Sequence, residues 1–184
     1  MIGRLFKLPF ASNRAINARV IDRLHGDIMA AARHPALYRE LGVPDSFEGR
    51  FEAFSLLAIL TIRRLAAMAS PGADMAQDLT DAIFRHFDLM LREMGVADLT
   101  VPKRVQALAQ AFMGRSLAYH GAQQDDAALA LALSRNVLSG RGDPGALLEY
   151  VKACTNMLEA ASLVTFSTGP LRFPEPAAGL RRKE

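Results

Sequence analysis

Leu91–Val105 reads LREMGVADLTVPKRV, and the parsing of this stretch decides the fold. A charged, periodic segment runs into Gly95, a residue suited to the left-handed turn that closes a helix. Pro102 stands where the next helix begins, in a first turn where its missing amide costs nothing. Thr100 is the expected cap of that second helix. The stretch is therefore a helix-to-helix corner, and it presents Asp98, Lys103 and Arg104.

Working outward, the segment before the corner carries Asp78, Asp81, Arg85, Asp88 and Arg92 at alternating spacings of three and four, with Leu79, Ile83, Phe87, Met90, Leu91 and Met94 on the other side. That is an amphipathic helix with one wet and one buried face. Asp81 with Arg85 and Asp88 with Arg92 stand four apart, acid first, an order that supports an exposed helix by about 0.2–0.5 kcal/mol per pair. Further upstream a long helix spans Ser46 to about Ala69, opened by a capping box of Asp45 and Glu48. Its apolar residues between Phe47 and Leu65 cover most of the circumference, which marks it as the central element of a bundle. Ile16, Val20, Leu24 and Ile28 define a first helix that ends near Arg33, where His34 and Pro35 interrupt. PALYREL then adds a short helical turn that stops at Gly42.

Beyond the corner, a helix with Val105, Leu108 and Phe112 inward reaches about Tyr119. It contains Gly114, which is less favourable there than alanine by about 1 kcal/mol and is expected to admit another backbone closely. Two further helices span about Asp125–Leu138 and Pro144–Phe166, the second announced by Asp143-Pro144 and carrying Leu147, Val151, Cys154, Leu158 and Ala161 on one face. After Gly169 the prolines of PLRFPEPAAGLRRKE end the periodic pattern. The fold class is therefore all-α: one bundle of about six to seven helices, with flexible N- and C-terminal tails, residues 1–170 forming the domain and 171–184 a tail.

Composition agrees with a single packed core. The chain has 184 residues, 51% of them apolar and 22% charged, which is ordinary globular usage. A net charge of +3 falls far short of the dense basic stripe of a nucleic-acid binder, and no helix-turn-helix with a basic recognition helix is evident. The single Cys154 excludes an internal disulfide and suits a reducing compartment, the cytoplasm. The charge-free run AFSLLAILTI, residues 53–62, is too short to cross a hydrocarbon core that needs about 20 residues. The N-terminus carries Arg4, Lys7, Arg14 and Arg19 before its first acid, Asp22. With Ile2, Leu5 and Phe6 close by, it reads first as a frayed tail and second as a peripheral contact to a membrane surface.

Catalytic signatures are missing: no phosphate-cradling glycine loop, no histidines paired at metal-ligand spacing, no serine in a nucleophile elbow. His86 and Met90 share a helix face at a spacing compatible with haem ligation, yet read more simply as one surface and one core residue. Cys154 reads as a small buried hydrophobe. No cofactor, metal or small-molecule substrate is expected, nor an enzymatic activity. Eight methionines and cations near helix ends (Arg50, Arg63, Arg64, Lys103, Arg104 and Arg115) favour binding of protein.

HPALYRELGVPDSFEGRFE (34–52), IRRL (62–65), LREMGVADLTVPKRV (91–105) and AFMGRSLAY (111–119) together resemble the ubiquinol-cytochrome c chaperone family, over about Ala15 to Tyr150. The resemblance implies an all-helical, non-enzymatic chaperone of cytochrome bc1 assembly. It further implies apocytochrome b as client, a contact with the ribosome that makes it, and, since no long presequence precedes the first helix, a bacterial member. Met113 replaces the aromatic residue common before Gly-Arg in that family, and AFSLLAIL follows Glu52 where a histidine-containing pattern is usual. Carried over residue by residue, Asp45, Arg50, Asp98, Lys103, Arg115 and Tyr119 are the candidate partner-binding residues, converging on one docking patch. The competing reading is a helical regulator that houses a small apolar ligand between its helices.

Overall fold

The computed structural model describes the backbone of residues 10–176 and the side chains of residues 17–176. Eight α-helices and no strand occur among them: α1 Phe10–Ala32, α2 Pro35–Arg39, α3 Phe47–Ala66, α4 Gly72–Glu93, α5 Val101–Ala122, α6 Asp126–Asn136, α7 Gly145–Ala160 and α8 Leu163–Thr168. The basic N-terminal stretch through Lys7 and its expected membrane contact lie outside the described residues.

Helix α3 is the axis of the bundle, packed against α1, α4, α5 and α7. Ala53 to Thr61 are buried without interruption, the all-round burial that its unbroken apolar run dictates. Thr61 is tolerated there because its hydroxyl donates to the Leu57 carbonyl at 2.9 Å. On α4, Leu79, Ile83, Phe87 and Leu91 face inward, and Leu147, Val151, Cys154 and Leu158 do the same on α7. One contiguous core joins these helices to α1, where Leu24 and Ile28 are fully buried.

Two arginines act as internal caps for carbonyls at helix ends. Arg64 donates from Nε to the Leu158 carbonyl at 2.9 Å and from Nη2 to that of Ala161 at 3.0 Å, closing α7. Arg23 donates to the carbonyls of Phe166 and Ser167, tying α8 to α1. Arg64 is therefore committed within the fold and unavailable to a partner.

Several local expectations change. The helix expected from Pro144 to Phe166 breaks at Ala161 and Ser162, because Ser162 forms a capping box with Thr165 and starts α8. Ser46, one residue after the expected cap, opens α3: its hydroxyl accepts from the Gly49 amide at 3.1 Å. Asp81 accepts from Gln77 at 2.9 Å in place of pairing with Arg85, whereas Asp88 and Arg92 do pair, at 2.7 Å. A Cβ on Gly114 would meet nothing within 4 Å, so no other backbone approaches it. After Gly169 the chain leaves the helical pattern yet stays docked through Leu171, which is buried and donates its amide to Asp27 at 2.8 Å. The segment is held further by Glu175, which reaches His34 at 3.0 Å.

Candidate functional site

The turn from α2 into α3 is built by short-range steric demands. Gly42 takes φ +75°, closing the turn after α2. At Gly49 a Cβ would lie 1.9 Å from the Pro44 carbonyl oxygen, so only glycine lets the first turn of α3 fold back against the LGVPD loop. That loop aims Asp45 at Arg50, whose Nε and Nη2 donate to Oδ1 at 2.8 and 2.7 Å. The Arg50 guanidinium also lies over the Tyr38 ring, 5.4 Å from its centroid, a cation–π geometry. Tyr38 in turn donates its hydroxyl to the Ala32 carbonyl at 2.6 Å, anchoring the cluster to the end of α1.

Beneath Arg50 and Tyr38 lies an aromatic cavity of about 210 Å³, walled by Phe47, Phe51, Phe54 and Phe87 with Met29 and Met90. Phe51, Phe54 and Phe87 pack edge to face or tilted, at centroid separations of 5.6 to 6.1 Å. Arg33, Arg50, His86 and Glu93 also line it. Arg33 has no ion pair or side-chain hydrogen bond among the described residues. Met90 thus belongs to a cavity wall, a role its neighbours on α4 alone did not disclose.

A second cluster sits on another side of α3, since Glu52 follows Arg50 by two residues, about 200° around the helix. Arg115 grips Glu52 with three contacts: Nη2 to Oε1 at 2.7 Å and Nε to Oε1 and Oε2 at 3.1 and 3.2 Å. The Glu52 carboxylate is buried and Arg115 remains partly exposed, and the carboxylate in turn raises the arginine's pKa. Tyr119 lies just beyond, only 1% exposed. Burial pushes its hydroxyl far above the ordinary tyrosine range, with the neighbouring Glu52 charge adding to the effect. Tyr119 therefore cannot touch a partner from this position; it packs the interior, because α6 and α7 lie over this end of α5.

The α4–α5 corner forms as expected, with Gly95 at φ +76°. Thr100 precedes α5 but its hydroxyl donates to the Ala97 carbonyl at 2.8 Å and caps nothing in α5. Asp98 pairs with Arg92 at 2.7 Å and is otherwise exposed. Lys103 is exposed and has no partner among the described residues. Leu99 stands 96% exposed between them, with Leu89 and Met94 also outward; sequence reading passed over Leu99 and Leu89 and placed Met94 on the buried face, which the end of α4 does not bear out. Lys103 and Arg115 are twelve residues apart on one helix, about 18 Å along its axis. The six candidates thus fall into three separate clusters plus a buried tyrosine, not one patch.

Midway along the α1–α4 contact, His25 and His86 approach with ring centroids 4.8 Å apart, and His25 also meets Phe54 at 5.6 Å. Burial lowers both imidazole pKa values. For His25 the neighbouring His86 lowers it further while Asp22 opposes; for His86, Arg33 lowers and Glu93 opposes. Among the described residues no three His, Cys, Asp or Glu side chains gather as metal ligands would, and no helix is long and apolar enough to cross a membrane.

Among the described residues the chain is an all-helical single-domain bundle without strands, and it exposes an aromatic cavity rimmed by arginines, an ion-paired helix face and an apolar corner. Its sequence narrows the class: residues 39–173 match the model of the ubiquinol-cytochrome c chaperone family, and the chain belongs to that family. The match begins later and ends later than the stretch that carried the resemblance. The crystal structure of the Cbp3 homolog from Brucella abortus is similar throughout, with 32% identity, a TM-score of 0.80, and coverage of 92% of this chain and 96% of that one. No curated protein matches.

Proposed function

We propose that this protein is an assembly chaperone of the cytochrome bc1 complex that holds newly made cytochrome b at the aromatic cavity beneath Arg50. It acts by binding, not by catalysis. The observation that carries this reading is that one block of the family resemblance, His34 to Glu52, supplies Tyr38, Phe47, Arg50 and Phe51 to the exposed side of that cavity. Cytochrome b lacking haem exposes apolar helix surface, and one apolar side chain buried in such a cavity contributes about 1.5–3 kcal/mol. Contacts of that size are reversible, which suits a chaperone that must let its client go.

The alternative occupant, a small apolar ligand, is disfavoured by size, since about 210 Å³ lies below the roughly 300–1,000 Å³ of small-molecule sites. A single client side chain is the better fit. The ribosome contact implied by the family resemblance is a separate expectation, read by co-sedimentation of the protein with translating ribosomes.

The test is a deletion strain complemented with variants. Loss of spectrally detectable cytochrome b, with unchanged transcript, supports the assembly reading; unchanged bc1 content and activity in the deletion strain would remove it. Phe47→Ala, at the partly exposed edge of the cavity, should complement poorly while folding normally.

A further inference from the structure

The aromatic cavity is one end of a longer seam. Its α1 wall is Met29 to Arg33 and its α4 wall His86 to Glu93. The preceding turns of the same two helices enclose a wide groove of about 810 Å³ with Ile21 and Phe84 among its lining residues. Helices α1 and α4 therefore run side by side in the same direction, with the His25–His86 contact between the two openings. The groove carries Asp22, Asp78, Asp81 and Asp88 against one guanidinium, Arg85. Asp88 is already held by Arg92, while Asp22 and Asp78 accept no side-chain hydrogen bond among the described residues.

We propose that this seam is the client channel: the aromatic cavity takes an apolar side chain, and the acidic groove takes the Lys and Arg residues beside it. This rests on the chaperone reading above and identifies the part of the client that is held. The occupant is the cytoplasmic end of a transmembrane helix with the loop that follows. Such ends combine an apolar or aromatic terminus with flanking cations, the excess of Lys and Arg that orients membrane proteins. Charge complementarity selects this occupant over an acidic segment, and the different linings of the two openings fix its polarity, apolar terminus in the cavity and cations in the groove. The two linings are centred about twelve residues apart along α1 and about six apart along α4, roughly 9–18 Å, which an extended peptide covers in about three to five residues.

The probe is the fluorescently labelled peptide Phe-Leu-Ser-Gly-Ser-Lys-Arg-Lys, titrated against the full chain by anisotropy. Binding should weaken as salt rises, because the groove is open to solvent. Asp78→Asn with Asp81→Asn, both exposed, should weaken it about three- to tenfold without changing the melting temperature. Equal affinity for the same peptide ending in Glu-Asp-Glu, or no effect of the double substitution, would overturn the proposal. So would a peptide that binds only when Arg4→Glu and Lys7→Glu are introduced, which would assign the groove to the protein's own cationic N-terminus. In cells, the Asp78→Asn/Asp81→Asn chain should lower cytochrome b. Full complementation by that chain, in a strain where deletion abolishes cytochrome b, would sink the channel and leave the assembly function standing.

Discussion

The Glu52–Arg115 pair should be the most consequential ion pair in the protein, and its removal gives a sharp measurement. The Glu52 side chain is 9% exposed and that of Arg115 is 30% exposed, so the pair lies between two regimes. An exposed pair contributes about 0.2–1 kcal/mol, whereas stripping one partner from a fully buried pair costs about 3–5 kcal/mol. Water reaches Arg115 and screens it, so Arg115→Met should cost about 2 kcal/mol, chiefly by leaving the Glu52 carboxylate desolvated. Methionine keeps the apolar stem, which separates lost charge from lost packing. For a chain of this length about 2 kcal/mol lowers the melting temperature by about 4–8 °C. Glu52→Gln preserves shape and an acceptor and should cost about 1 kcal/mol. Combining them should cost less than the sum by about 1 kcal/mol, since each single change strands the other group. The assay is chemical denaturation followed by circular dichroism on all four proteins. An Arg115→Met chain as stable as the parent, or a strictly additive cycle, would show that the carboxylate finds compensation elsewhere.

Three further outcomes follow from the geometry. Gly49→Ala should destabilise by about 3 kcal/mol, since its Cβ would strike the Pro44 carbonyl at 1.9 Å, whereas Gly114→Ala should stabilise by about 1 kcal/mol; thermal melts showing the same sign for both would contradict this placement. Both histidines have lowered pKa values in the fold, so as pH falls below about 6.5 the unfolded chain takes up protons first and stability drops. Asp22 and Glu93 temper the loss and Arg33 deepens it, and His25→Gln with His86→Gln should flatten the denaturation midpoint between about pH 7 and 5; an unchanged slope would refute the assignment. Cys154 is fully buried and its thiol is pushed up to about 12, so a disulfide reagent at neutral pH should label it only at the rate of opening, and immediate stoichiometric labelling would contradict its burial.

The parts of this fold that were legible in the sequence are those fixed by neighbours in the chain. Gly95 and Pro102 bracket the α4–α5 corner through their own backbone preferences, and the periodicity of α4 names its buried face. What escaped reading depends on partners far along the chain. Nothing in the spacing joins Glu52 to Arg115, 63 residues on, or Arg64 to the carbonyls that end α7, 94 and 97 residues on. Gly114 lost its expected role, and Gly49 took one that was not foreseen, for the same reason. A glycine's need for space is set by what lies opposite, and only at Gly49 is that a carbonyl. At the head of α3, Asp45 and Ser46 are both competent caps, and the choice between them was made by Arg50, which takes the aspartate.

That division bears on where a client can bind. Of the six candidate residues, Tyr119 is enclosed and Arg115 spends its fork on Glu52, so both hold the scaffold. Asp98 is engaged by Arg92. Asp45 and Arg50 satisfy each other, yet more than half of each side chain is exposed, and an exposed pair of that kind is held by under about 1 kcal/mol. A client carboxylate or carbonyl can displace Asp45 from Arg50 at little cost, or Arg50 can swing from the Tyr38 ring and widen the cavity behind it. The rim of the aromatic cavity is thus the place where the motif is loosely held over an apolar interior. Under the proposed function, that combination is what lets the site open to an apolar segment and close once the segment has left.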